Sequence, residues 1–572
     1  MPTSAKRIAE GLDRSVVIPP RYPGVMVMPA GDRSDGAPQP VPETPFTDLR
    51  GADSAAELRA ELGKDAVRGS LWILTSSTVM IPMTFLVSLV VAHALGVRQY
   101  GRLAVYVSAF SLTVTVLNAG ISEASVQWVA RAHARGDRAG LLQVTRLCAA
   151  YHWCFEAPAV FALTLALLHD HPAAAVVAGL ANAATMLLGT SAVLMTAMAR
   201  NALSARVGLV VALTLQTTLA SSALAGGSAA VVWAAQTSVS VLAPLLLIRA
   251  HSPDIRRAIL RPTLPRGWPP GMLRYAMSAW GGAIVATLVV TRTELFVLQA
   301  NHLPVAAGLF ALAGSLAGQV TLPINALMGP LVPVIAGIYA SAPERAAVHV
   351  QRALRLSGTL GMLAAALVLP AALVLLPTVY GQGFAGAVPA LYVLGLVSCL
   401  QSVIHPLTAF AFATRSAAAV LRINLVALVV DIGLALTLIP VIGLGGAVVA
   451  NACAQVISLG LLVRLLAKQL HISFLEAIVG ARTFLLGVVV VGYVVVVHEV
   501  AGGGLVAGVV TLVGCLTIVL GASALFPGLR LAPNDLDVVR RGLPGRLSQP
   551  FEGLVRVLLL EDAARPRSTS MP

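Results

Sequence analysis

Charge is scarce in this sequence: Asp, Glu, Lys and Arg make up only 11% of its 572 residues, against about 25% in soluble domains. With 57% apolar residues and a mean hydropathy of +0.84, the chain is solvated mainly by lipid. Lysine is scarcer still, confined to Lys6, Lys64 and Lys468. A P-loop needs Gly-Lys followed by Ser or Thr to hold phosphates, and Lys64 is followed by Asp65. That excludes an ATP-driven motor within the chain, so any driving energy comes from an ion gradient, the membrane potential or the substrate's own gradient. The five cysteines (Cys148, Cys154, Cys399, Cys453 and Cys515) lie in apolar stretches without metal-ligand spacing and read as small packing residues. The histidines lack such spacing too, so neither a metal nor a cofactor is expected. The polar first seventy residues contain no cleavable signal peptide. Within them "GDRSDGAPQPVPETPFTD" reads as disordered and "SAAELRAELGKDAVRGS" as a short helix on the membrane surface.

What is abundant is long apolar runs. A membrane helix takes about 20 such residues. Spans are expected near 70–95, 103–129, 147–168, 173–199, 207–225 and 229–248. After a basic loop they resume near 275–299, 306–338, 356–380, 389–413, 423–441 and 446–466, and finally near 483–500 and 504–526. The arginines test this series of fourteen. Alternate loops carry Arg131, Arg135 and Arg138; Arg200 and Arg206; Arg249, Arg256, Arg257, Arg261, Arg266 and Arg274; Arg345, Arg352 and Arg355; Arg415 and Arg422; Lys468 and Arg482. After Arg98 and Arg102, the intervening loops hold essentially nothing basic. Basic residues stay on the cytoplasmic side, so both termini are expected there, and the net charge of +14 reflects topology rather than nucleic-acid binding. The outer loops are as short as "GGS" and "AGGG", too small to house extracytoplasmic catalysis. No enzymatic activity is expected.

The organisation read from this pattern is an all-α polytopic membrane protein. It comprises a largely disordered cytoplasmic region (1–69), an N-lobe of six spans (70–248) and a cytoplasmic inter-lobe loop (249–274). A C-lobe of six spans (275–468), a C-terminal helix pair (469–526) and a cytoplasmic tail (527–572) follow. The two lobes align weakly across an offset of 207, pairing Gly101 with Gly308 and Ala104 with Ala311. Six spans per lobe leave both in one orientation, related by a pseudo-two-fold axis along the membrane normal, an arrangement suited to rocking around a central site.

Four stretches resemble a known family: "ALGVRQYGRLAVYVSAF", "TRTELFVLQANHLPVAAGLFALA", "PTVYGQGFAGAVPALYVLGL" and "LIPVIGLGGAVVANACAQ". In this order they are similar to the polysaccharide-repeat-unit (O-antigen type) flippases of the multidrug/oligosaccharidyl-lipid/polysaccharide exporter superfamily, over roughly residues 70–470. The seventh span of that family usually carries Asp, where this chain has Glu294 with Arg292 two residues before it. The resemblance implies a lipid-linked oligosaccharide substrate with a phosphate or pyrophosphate, moved from the cytoplasmic to the outer leaflet by alternating access. It implies membrane lipids as surroundings, and a polysaccharide polymerase or glycosyltransferases as partners. The Ala, Arg and Gly content suits a GC-rich bacterium and its inner membrane. A lipid II flippase, a cation-coupled drug exporter and a non-transporting scaffold of a glycan-synthesis complex stand as alternatives.

The charged residues inside the spans are the candidates for the substrate path. A guanidinium suits phosphate because it bonds two oxygens at once, which points to Arg292. About 25 Å into its span at 1.5 Å per residue, it either faces the cavity or snorkels to the surface. Glu294, offset by about 200° around a helix, needs a different partner. Asp431 lies too deep to snorkel, with Asn424 two turns away on its face, and reads as a cavity-lining or ion-coupling carboxylate or as a helix tie. His152 and Glu156, at i and i+4 beside Pro158, either exchange a proton or form a structural pair. Glu123, near the cytoplasmic end of the second span, reads as a gate or surface contact.

Overall fold

A computed structural model describes residues 52–198, 200–262, 267–291, 293–321, 343–413, 417–470, 481–501 and 505–525. Every regular element among them is helical. In the first half these are α1 (Ala52–Leu117), α2 (Ile121–Ala134), α3 (Arg138–Tyr151), α4 (Ala157–Leu167), α5 (Pro172–Ala197), α6 (Asn201–Leu224), α7 (Ala229–Ser240) and α8 (Leu242–Arg249). The short α9 (Pro253–Leu260) lies in the basic inter-lobe loop. Then come α10 (Met272–Thr291), α11 (Thr293–Ala300), α12 (Pro304–Gly318), α13 (Pro343–Leu375), α14 (Val388–Ala413), α15 (Ala417–Ile442), α16 (Leu444–Leu470), α17 (Ala481–Ala501) and α18 (Leu505–Leu525). The expected disordered region, the C-terminal tail and Arg292 lie outside the described residues, save for the part of 1–69 that begins α1.

Eight helices among the described residues are long and apolar enough to cross a membrane: Met83–Leu117, Pro172–Ala197, Ala202–Leu224, Ala229–Arg249, Pro304–Thr321, Gln382–Ala411, Ala418–Ile442 and Leu444–Gln469. Three shorter apolar helices, Ser357–Ala372, Leu486–Val500 and Val506–Ala522, add to them. The protein is an all-α, multi-pass membrane protein. Large aliphatic side chains cover its outer surface, among them Val429 (70% exposed), Val441 (79%) and Val500 (83%), as a lipid-facing surface requires. Its interior is rich in small residues: Ala307, Ala313, Ala317, Ala366, Ala435, Ala447 and Ala450 are all within one core cluster. Small side chains let helices approach closely where lipid removes the hydrophobic drive for association.

Two expectations need correction at the start of the first lobe. No loop separates the first two spans; α1 turns only at Gly96, whose φ of 67° and ψ of 168° break the helical path. A Cβ there would meet nothing within 4 Å, so glycine is needed for its backbone conformation, which L side chains avoid. The span expected over 103–129 is itself two helices. It ends at Leu117, and Ala119 and Gly120 adopt left-handed conformations before α2 begins. Asn118 holds this turn, accepting from the Ser122 amide at 3.2 Å and donating to Glu123 Oε2 at 2.9 Å.

The third span is interrupted as well. Between α3 and α4, His152–Glu156 forms a five-residue π-helix, and the Ala157 amide donates back to the His152 carbonyl. Pro158 follows at the start of α4; having no N–H, it cannot continue an α-helical ladder. The wider turn accommodates the break without ending the span.

Candidate functional site

Glu294 lies near the start of α11. Its side chain is fully buried, and Oε1 accepts a 2.7 Å hydrogen bond from Asn451 Nδ2 of α16. Facing it from α15 is Asp431, also fully buried, with its carboxyl in close interaction with those of Glu294 and the hydroxyl of Thr293. Thr293 Oγ1 donates to the Leu288 carbonyl at 3.1 Å. Glu294 Oε2 and both Asp431 oxygens have no hydrogen-bond partner among the described residues. Asn451, Gln455 and Ser458, all buried, share one face of α16.

Two carboxyls this close and this deeply buried repel if both are ionised, since burial takes them away from the screening of bulk solvent. None of the three ion pairs among the described residues involves either. Among those residues, too, no group of three His, Cys, Asp or Glu is placed to hold a metal ion. The chemistry that suits two carboxyls, an amide oxygen and a hydroxyl is a proton or an alkali cation.

The remaining candidates lie elsewhere. Asn424 is half-buried on α15, and it is Asn451, from another helix, that holds the carboxyl pair. His152 and Glu156 are buried within the first lobe (4% and 2% exposed), their Nδ1 and Oε2 atoms 2.8 Å apart. Glu123 is exposed in the first turn of α2, where its negative charge complements the helix N-terminus.

The structure also assembles a junction that no single motif announced. At the end of the molecule opposite the arginine-rich loops, a Cβ added to Gly101 would lie 2.3 Å from the Pro304 carbonyl oxygen and 2.6 Å from the Gly308 nitrogen. Beside this crossing Tyr100 packs edge-on against Phe384 (5.9 Å), as does Tyr380 (6.1 Å), whose hydroxyl lies 3.0 Å from Ser88 Oγ. Three of the four quoted motifs therefore meet at one place. At the other end, a Cβ on Gly120 would fall 2.0 Å from the Ala276 carbonyl oxygen. Trp280 there donates to the Val116 carbonyl at 2.8 Å, and Trp128 packs on Tyr275 at 5.8 Å. From Gly101 to the helix end at Leu117 is roughly 24 Å of helix at 1.5 Å per residue, most of the thickness of a bilayer core. The second span thus touches the other half of the chain near both of its ends.

Comparison with solved structures places this architecture. The inward-facing form of a multidrug-resistance MATE transporter of the MOP superfamily matches 74% of this chain and 98% of its own, at 14% identity and a TM-score of 0.51. The lipid II flippase MurJ, in an inward closed conformation, matches 78% of this chain and 98% of its own, at 9% identity and a TM-score of 0.56. No family model matches the sequence, and no curated protein matches it.

Proposed function

We propose that this chain, which has the fold of MOP-superfamily transporters, is a flippase. It carries a lipid-linked oligosaccharide or polysaccharide repeat unit from the cytoplasmic to the outer leaflet of a bacterial inner membrane, both termini lying in the cytoplasm. Alternating access would be coupled to a proton or cation at Glu294 and Asp431. The observation that carries this reading is the buried Glu294–Asp431–Asn451 cluster, which joins α11, α15 and α16 and leaves three carboxyl oxygens without a hydrogen-bond partner among the described residues. A carboxyl pair is costly in such a place and is neutralised when a cation arrives. A cation crossing with the membrane potential supplies roughly 2.3 kcal/mol per charge per 100 mV.

The glycan part of the proposal rests on the four motifs quoted above and on the absence of outer loops large enough for catalysis. The gating part rests on the glycine crossings at both ends of the second span, since opening to either side must separate one of them. Arg292 is the proposed partner of the substrate phosphate, and the enzymes that make or polymerise the glycan are the proposed protein partners.

The test uses cells depleted of the protein and complemented with wild type, Asp431→Asn or Arg292→Ala. Lipid-linked glycan is extracted, and oriented vesicles report which leaflet presents the sugar. The expected result is glycan accumulating on the cytoplasmic side and rescued by wild type alone. Accumulation of lipid II instead would replace the substrate. Normal surface polysaccharide with no accumulated glycan-lipid would overturn the flippase reading in favour of an exporter or scaffold.

A further inference from the structure

The carboxyl cluster at Glu294 is not the only buried ionisable group. Deep in the first lobe, His152 and Glu156 sit at the two ends of the five-residue π-helix, 4% and 2% exposed. Their Nδ1 and Oε2 atoms approach to 2.8 Å, though without the alignment of a hydrogen bond. One turn before them Cys148, 1% exposed, interacts with the imidazole and with Ser125 of α2. Thr190 of α5 donates to its sulfur at 3.8 Å. The ring itself lies against Gly189 of α5, where an added Cβ would be 3.8 Å from it. A polar chain thus runs Ser125–Cys148–His152–Glu156 across three elements. Ser125 Oγ, His152 Nε2 and Trp153 Nε1 in this region have no hydrogen-bond partner among the described residues.

We infer that the His152–Glu156 pair is a proton-binding site distinct from the carboxyl cluster, and that the π-turn on which it sits is the element its charge state moves. Holding one proton between them, the two groups are neutral in sum, whether as imidazolium with carboxylate or as neutral acid with neutral base. Taking a second proton from water leaves one positive charge, and releasing the only one leaves a negative charge. Each change leaves one charged and one neutral group and so weakens the attraction across the turn. The ring has little else to hold it: α4 and α5, both packed on the turn, contain no ionisable side chain. From α3 the facing titratable groups are Cys148 and Tyr151, and the hydroxyl of Tyr151 is already engaged, donating to the Leu117 carbonyl at 2.6 Å. From α2 the facing polar group is Ser125, while Glu123, two residues before it, is exposed. π-Bulges recur at functional sites because one extra residue per turn lets a helix shift register locally. Here the register break coincides with the only buried imidazole–carboxylate pair among the described residues.

This inference does not depend on what the protein carries, and its test needs no substrate. The purified full-length chain is placed in nanodiscs and infrared difference spectra are recorded as pH is stepped from about 4 to about 11, well beyond the ordinary Glu and His values. Wild type should show paired carboxyl and imidazole bands that both disappear in His152→Gln and in Glu156→Gln, yet persist in Glu294→Gln and Asp431→Asn. Should either single variant fail to fold, the exchanged variant His152→Glu/Glu156→His keeps the pair and should titrate. Bands that survive in His152→Gln and Glu156→Gln, a wild type whose titrating carboxyl bands all vanish with Glu294 and Asp431, or an exchanged variant that does not titrate would each overturn it. A failed glycan assay with intact, His152-dependent bands would reject the flippase reading alone.

Discussion

Gly101 and Gly308 touch backbone to backbone although 207 residues separate them: a Cβ on Gly308 would lie 3.2 Å from the Gly101 nitrogen and 2.2 Å from the Val97 carbonyl oxygen. They occupy matching places in the two halves of the chain, at the entry to the second and eighth spans. Contact between equivalent positions is what a two-fold axis passing between them produces. Gly101→Ala should therefore wedge the halves apart at this end, since overpacking of a close contact costs about 1–3 kcal/mol. Spin labels at Asp170→Cys and His302→Cys, both near this face, should report a longer mean distance than in the glycine protein. An unchanged distance would mean that the crossing does not control this end.

Gly120 predicts the reverse response. Alanine there would meet the Ala276 carbonyl oxygen at 2.0 Å and would also carry a φ of 70°, which L residues adopt at a cost of roughly 1–2 kcal/mol. Labels on the arginine-rich side should separate in Gly120→Ala while those at Asp170 and His302 do not.

Neutralising the carboxyl pair should not cost stability. Glu294→Gln keeps an oxygen for Asn451 and removes an ionisable group from a buried site, and replacing buried ionic groups is often neutral or stabilising. Asn451→Ala takes away the side-chain amide that donates to Glu294, at about 1–3 kcal/mol for an unsatisfied buried acceptor. Thermal unfolding in nanodiscs, with and without sodium, should order the proteins Glu294→Gln at or above wild type and Asn451→Ala below it. Any upward shift with sodium should be lost in Glu294→Gln.

His251, in the loop after α8, provides a pH dependence outside the spans. It is buried, with its Nε2 3.0 Å from the Ser191 carbonyl oxygen. Burial, aided by the nearby Arg200 charge, holds its pKa below the usual histidine value despite that hydrogen bond. The unfolded chain then binds the proton more readily than the folded one, so the contribution is complete above about pH 6.5 and is lost as pH falls towards the folded value. Melting temperature measured against pH should drop on that acidic side in wild type and less so in His251→Gln.

The ion pair between Arg138 and Asp254 tests a smaller effect. It ties α3 to α9, but both side chains are well exposed, at 70% and 46%. Exposed pairs contribute about 0–1 kcal/mol, so Asp254→Asn should leave the melting temperature nearly unchanged.

Much of this architecture was legible before any coordinates, and the parts that were not share a cause. Where the expected spans fall on described residues they fall mainly on helix, because apolar length is a property of consecutive residues, and the alternation of arginines needed no three-dimensional information. Glu294 and Asp431 stood out singly as charges inside apolar runs. Their meeting did not, since 137 residues separate them and helical periodicity says nothing about which helices become neighbours. Asn424 drew attention by sharing a face with Asp431, whereas Asn451, on the next helix, makes the bond. The π-turn was hidden for a related reason: Pro158 signalled a disturbance in the third span, but a register change and a simple kink have the same sequence.

By itself, then, the sequence determined that this is a helical membrane protein without an ATP motor, where its apolar runs lie, and which few charges they bury. Those are consequences of local hydropathy and of the cost of placing charge in lipid. Only the tertiary structure decided that two carboxyls share one buried site, that Gly101 and Gly308 meet, and that a histidine and a glutamate close a π-turn. Such relationships arise when helices distant in sequence choose their packing faces, and that choice is made by small residues and shape complementarity over the whole bundle.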